Sequence, residues 1–261
     1  MNILDRSVNS IRAWGFRGFL RGAWDSALAQ AVLLYESVIF TLATDRVIGS
    51  FGAKSAKVKG IGPIVDFSFA FSYLGIAIKP VQVKSEIAGL LTRLKDRRIK
   101  AMMEIGTDRG GTLFLFSRVA EPDATIVSMN VPWSALNAYC MEYRNLLFEK
   151  FARPEQKLSL LSVNSHEHAS LQKMKALLNG QKLDFLFIDG DHSYDGVKKD
   201  FEMYSALVGK GGVICFHDIA ENRRNTHNPV RDYWDEIKSG YKHEELCHSG
   251  GKGFGIGILY K

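Results

Sequence analysis

LDFLFIDGDHSYDGVKKDFEMYSALVGKGGVICFHDI, residues 183–219, is the stretch on which the fold turns. Its first six residues carry almost no polar side chain, the pattern of a strand covered by helices on both faces of a parallel sheet. Residues 194–208 then read as a helix and 212–216 as a second apolar strand, making one strand–helix–strand unit. The same alternation extends to both sides. Upstream, helices at 85–94, 112–120, 134–151 and 168–178 alternate with strands at 101–105, 124–129 and 158–163. In the first of these helices Ile87, Leu90, Leu91 and Leu94 share one face. Downstream, a helix at 229–238 precedes strands at 241–247 and 254–260 with no helix between them, which predicts an antiparallel hairpin. Such an order predicts a doubly wound α/β domain with a mostly parallel sheet.

Residues 1–78 lack this rhythm and are expected to form an N-terminal helical extension to a domain at 79–261. Trp14, Phe16, Phe19, Leu20 and Trp24, interspersed with Arg12, Arg17 and Arg21, suggest a basic amphipathic helix, packed on the domain or lying on a membrane surface. Residues 26–44 are long enough to span a bilayer, but Glu36 stands in their middle, so a packed helix is expected. The aromatic patch at 67–73 suits either a lid over an acceptor pocket or a contact between copies. Of the net charge of +6, the first 60 residues supply eight basic against four acidic groups. These are scattered singly, a solvated face rather than a nucleic-acid patch. Cys140, Cys215 and Cys247 are odd in number and form no CxxC, which fits a reducing cytoplasm.

In open α/β sheets ligands bind beyond the carboxyl ends of the strands, so the residues after each strand are the candidates. After the first comes EIGTDRGGT, with Gly106, Thr107, Gly110 and Gly111 in the turn. Its spacing is not the G-x-G-x-x-G of a dinucleotide site. Glu104 at its head would repel a pyrophosphate and attract an ammonium, which favours S-adenosylmethionine over NAD. Asn130 ends the second strand where ribose binders usually carry an acid. Asn164, Ser165 and His166 end the third and suit either an adenine amine or a helix cap before Glu167. Asp189, Asp191 and His192 cluster after the fourth; Asp191 suits a turn, whereas Asp189 suits a hard cation and His192 a proton acceptor near neutral pH. His217 and Asp218 end the fifth, next to that cluster, so Asp189, Asp218 and His217 are candidate ligands of one divalent ion. Magnesium suits the carboxylates, and manganese or iron would tolerate the histidine better.

EIGTDRGGT, the 184–219 stretch and the closing GFGIGILYK resemble a branch of class I methyltransferases. That branch includes the protein named cephalosporin hydroxylase and the metal-dependent macrolide-sugar O-methyltransferases, and the resemblance covers roughly residues 79–261. It implies a seven-stranded sheet with the last strand antiparallel, and S-adenosylmethionine bound at Glu104, Gly106 and the glycine turn. It implies a divalent ion at Asp189, His217 and Asp218, with His192 as the base that deprotonates a hydroxyl of a small-molecule or saccharide acceptor. Two residues depart from the branch's pattern, His217 where an acid is common and Asn130 in place of the ribose acid. Trp133, Tyr139 and Tyr143 suit stacking on a sugar ring or a place in the core. An iron-dependent hydroxylase and a non-catalytic cofactor-binding protein are the alternatives. A cytoplasmic homo-oligomer is expected, and peripheral membrane contact through residues 1–45 is the alternative to the packed helix.

Overall fold

The computed structural model describes residues 3–132, 135–220, 228–248 and 254–261, with side chains from residue 27 onward. Seven strands form one sheet: β3 (Ala101–Ile105), β4 (Thr125–Asn130), β5 (Lys157–Ser162), β6 (Leu183–Ile188), β7 (Val208–His217), β8 (Lys242–Leu246) and β9 (Ile256–Tyr260). Their order is β5-β4-β3-β6-β7-β9-β8. The five strands from β5 to β7 are parallel, while β9 runs antiparallel to both neighbours. The chain steps from β3 outward to β4 and β5, then returns to place β6 on the other side of β3, so the switch point lies between β3 and β6.

Helices α3 (Lys84–Leu94), α4 (Gly111–Val119), α5 (Ala135–Phe148), α6 (His168–Leu178), α7 (Tyr194–Tyr204) and α8 (Pro229–Ile237) connect these strands and cover the sheet. The expected elements recur within a few residues, and α6 and β6 match at both ends. Strand β7 begins four residues before its expected start, because Val208 already pairs with Leu183 before a register shift. That irregular stretch holds Gly211 at φ 83°, a value suited to glycine. Asp184, the one charge inside β6, accepts from the backbone amides of Lys100 and Ala101 at 2.7 and 3.0 Å and so fixes the start of β3.

Ahead of the sheet stand α1 (Ile3–Ser55), α2 (Ile61–Ala70) and a small hairpin, β1 (Ser72–Tyr73) and β2 (Ile76–Ala77). Leu33, Glu36, Phe40, Val47 and Phe51 form the buried face of α1. Phe51 lies 5.0–5.8 Å from the rings of Phe67, Phe71, Phe114 and Phe151. No residue of the aromatic patch lines the large cavity. The patch's rings Phe67 and Phe71 join α2 to α1 and α4 inside the core. Helix α4 is buried on every side from Gly111 to Ser117, as a helix between a sheet and a further helical layer must be. The long apolar helix and the sheet thus share one continuous buried cluster.

Candidate functional site

The turn after β3 holds Gly106 at φ 95° and Gly110 at φ 78°. A Cβ on Gly106 would stand 1.9 Å from the carbonyl oxygen of Asp189, one on Gly110 2.4 Å from the Phe148 ring, and one on Gly111 2.3 Å from the Ile78 carbonyl. These glycines bring the turn against β6, α5 and the segment before α3. Gly106 lines the large cavity, whereas Gly110 and Gly111 stand behind it. Glu104 is also behind it, completely buried beneath the turn. Ser128 Oγ donates to Glu104 Oε2 at 2.8 Å and lies 2.6 Å from Thr107 Oγ1. Burial outweighs the hydrogen bonds from Thr112 and Ser128 and raises the Glu104 carboxyl to about 8. Glu104, read as the strand-end acid that would attract an ammonium, is therefore a largely protonated acid under the glycine turn and does not line the cavity.

Strands β6 and β7 pair in register from Phe185–Val213 to Ile188–Phe216, so Asp189 and His217 leave the sheet side by side. His217 Nδ1 lies 2.9 Å from Asp189 Oδ1 and 3.5 Å from Asp218 Oδ1. The His192 ring bridges the two carboxylates, Nε2 3.2 Å from Asp189 Oδ1 and Nδ1 2.9 Å from Asp218 Oδ2. Asp218 reaches this position through a left-handed backbone at φ 63°. Hydrogen bonds to Asp189 and Asp218 push His192 up to about 10. Burial opposes ionisation of Asp189, but His217 and His192 together hold it at about 2. A base titrating near neutral pH was expected. The arrangement instead places His192 between two carboxylates that favour its imidazolium form. Asp191 serves its turn, its Oδ1 accepting from the Ser193 amide at 2.8 Å.

Asn130 lines the cavity at the end of β4, its amide 3.6 Å from Met141 Sδ. Ser165 and His166 line it at the end of β5. Tyr204 Oη donates to the Ser165 carbonyl at 2.7 Å, and His166 Nε2 faces the buried Asp200 at 3.2 Å. Neither Asn164 nor Ser165 caps α6; Asn164 Oδ1 instead accepts from the His166 amide at 2.9 Å.

Gly106, Asn130, Ser165, His166, Asp189, His192, His217 and Asp218 all line one cavity of about 930 Å³. Two of its neighbours carried no signal in the local sequence. Gln82 is buried and donates to Asp189 Oδ2 at 2.6 Å, turning the other oxygen toward the histidines. The second is α1, whose Leu28, Ala29, Val32, Leu33 and Glu36 form one wall. Arg144 Nη2 on α5 donates to both oxygens of Glu36 at 2.7 and 2.6 Å, so the acid inside the apolar run is buried and paired. Tyr139 and Tyr143, candidates for sugar stacking, bind α1 instead: Tyr139 Oη lies 2.9 Å from Thr41 Oγ1 and Tyr143 stacks on Phe40. Trp133 lies outside the described residues.

With cavity, glycine turn and charged cluster placed, the comparisons with known proteins bear directly on them. Residues 103–219 match the model of a methyltransferase domain. That methyltransferase domain holds the glycine turn, Asn130, Ser165 and the whole Asp189–Asp218 cluster, and leaves out α1, Gln82 and the last two strands. The O-methyltransferase TomG from Streptomyces achromogenes, involved in tomaymycin synthesis and solved in complex with SAM, is 17% identical with a TM-score of 0.50, over 84% of this chain and 99% of that one. An O-methyltransferase from Bacillus cereus in complex with SAH is 19% identical with a TM-score of 0.48, over 81% and 96%. The likeness to TomG extends the shared fold beyond the matched domain. The uncharacterized protein R132 of Acanthamoeba polyphaga mimivirus is 44% identical over 59 residues, 23% of this chain. That match spans about a quarter, 26%, of the relative's length.

Proposed function

We propose that this chain transfers the methyl group of S-adenosylmethionine to a hydroxyl of a small-molecule acceptor. The observation that carries the reading is the cluster of Asp189, His192 and Asp218 on the same cavity as Gly106 and Asn130. The cavity fits the cofactor: its volume is at the upper end of ordinary ligand sites, about 300–1,000 Å³. Asn130, Ser165 and His166 offer polar groups for a nucleoside at the ends of β4 and β5. Gly106 lines the cavity at the switch point, its missing side chain letting the turn close on the Asp189 carbonyl, and the sulfonium end of the cofactor would lie against it. Bound there, the cofactor supplies an already activated methyl, so no covalent nucleophile is required of the protein.

In the reaction the acceptor oxygen bonds to the methyl carbon as the sulfur–methyl bond breaks, and the hydroxyl proton leaves. The chain's part is to orient the hydroxyl, exclude water and take that proton. His192 stands where the proton goes, but it first has to release its own. The positive charge of a bound sulfonium nearby favours that release, since like charges lower the pKa of an imidazolium. Asp189 and Asp218 hold the ring in place throughout. His192→Ala is expected to slow transfer of labelled methyl by about 10²–10⁴-fold with cofactor affinity nearly unchanged. Undiminished turnover would remove His192 from the chemistry.

A divalent ion on Asp189, His217 and Asp218 is the finer part of the reading. As arranged, His192 engages Asp189 Oδ1 and Asp218 Oδ2 and Gln82 engages Asp189 Oδ2, while Asp218 Oδ1 and His217 Nε2 are buried without a hydrogen-bond partner among the described residues. Among the described residues no three His, Cys, Asp or Glu side chains converge on a common centre. The labelled-methyl assay, repeated with chelator and then with added magnesium or manganese, decides whether an ion takes part.

A further inference from the structure

We propose that the outer face of α1 docks on an anionic lipid surface and holds the mouth of the cavity against it. Between residues 27 and 55 this helix contains an 18-residue stretch as long and apolar as a membrane span, yet only 22% of that stretch is buried. Its inner face is committed to the domain through Glu36, Phe40 and Phe51. The other face exposes Leu28, Leu34, Tyr35, Val38 and Leu42, to 57, 57, 51, 53 and 77%. A soluble protein rarely leaves such a contiguous apolar face uncovered.

Three features point to lipid as the cover. From Ala27 to Thr44 the helix carries one charge, Glu36, and that charge is turned inward and neutralised by Arg144. At 100° per residue, positions 28, 31, 34, 35, 38 and 42 spread over about a third of the helix circumference. That is wider than the narrow a/d seam of a paired helix, and suits a helix lying in the plane of an interface. The flanking charge is complementary to anionic lipid: Arg6, Arg12, Arg17 and Arg21, against Asp5 and Asp25, precede the apolar face in the same helix, and the chain carries +6 overall.

The face also reaches the functional site. Leu28 and Val32 are exposed and at the same time line the cavity, so they form its rim. A bilayer seated on α1 would meet that rim, and an acceptor with an apolar body and a reactive hydroxyl would pass from lipid to the cluster along apolar side chains. This last step rests on the proposed methyl transfer; the docking does not.

The test uses the full chain and two variants in flotation with vesicles of phosphatidylcholine alone or mixed with phosphatidylglycerol. The wild type is expected to float with the mixed vesicles and far less with phosphatidylcholine alone. The triple variant Leu34→Glu, Val38→Glu, Leu42→Glu, placed away from the cavity, is expected to lose roughly tenfold or more of that binding. Tyr35→Phe, which preserves the apolar surface, is expected to keep it. Calorimetric binding of S-adenosylmethionine by the triple variant shows independently that its cavity is intact and separates failure of the docking from failure of the proposed activity. No flotation of the wild type, or undiminished flotation of the triple variant, overturns the proposal. So does a wild-type dimer that does not float and that the triple variant dissociates, because a second copy would then be the cover.

Discussion

Glu104 gives the chain a pH signature of its own. Its carboxyl ionises near 4.5 when unfolded and at about 8 in the native state, where burial disfavours the charge. Between those values the native protein holds a proton that the unfolded chain has lost, so stability falls as pH rises through the window. The span corresponds to a few kcal/mol at most, at about 1.4 kcal/mol per unit. Glu104→Gln cannot ionise, and thermal unfolding is expected to show the variant gaining on the wild type from pH 5 to pH 8 by several degrees. Parallel curves would mean that Glu104 ionises normally in the folded chain. Gln82 acts on the same site from the opposite side. Gln82→Leu leaves Asp189 Oδ2 without its donor, at a cost of about 1–3 kcal/mol. Turnover is expected to fall about tenfold or more, with KM for the cofactor little changed. A loss confined to KM would place Gln82 in cofactor binding instead. Neither role was legible locally. Glu104 was legible as an acid at a strand end, but its direction depends on Ser128 and Thr107. Gln82 sits 107 positions from the aspartate it holds.

At the scale of elements, the joint between α1 and α5 is the arrangement most exposed to mutation. Glu36→Ala strands the buried Arg144 guanidinium without its carboxylate, a change that typically costs about 3–5 kcal/mol. Arg144→Met in addition removes the stranded charge, and the double variant is expected to recover much of that loss in chemical denaturation. Additive losses would show that the two side chains do not act as a pair. The sequence made the strand-and-helix alternation plain because periodicity is local: β6 is apolar at nearly every position, and α3 shows its core face at 87, 90, 91 and 94. Glu36 signalled that the apolar run does not simply cross a bilayer. What it could not reveal was its partner 108 residues away, nor that Tyr139 and Tyr143 serve the same joint.

At the scale of the molecule, sheet order explains how much of the site could be foreseen. Parallel strands whose order reverses between β3 and β6 bring their following turns to one edge, so Gly106, Asn130, Asp189 and Asp218 gather there whatever the details of packing. The wall contributed by α1 follows no such rule, because it depends on how the leading helix docks on the finished domain. That division also marks what the methyltransferase domain match contains and what it omits. The account stands on the cavity being a site for a sulfonium nucleoside. Isothermal titration calorimetry of the full chain with S-adenosylmethionine and, separately, NAD tests this most directly. Saturable binding of one S-adenosylmethionine per chain and no heat with NAD is the predicted result; no binding of S-adenosylmethionine, or binding of NAD in its place, would contradict it.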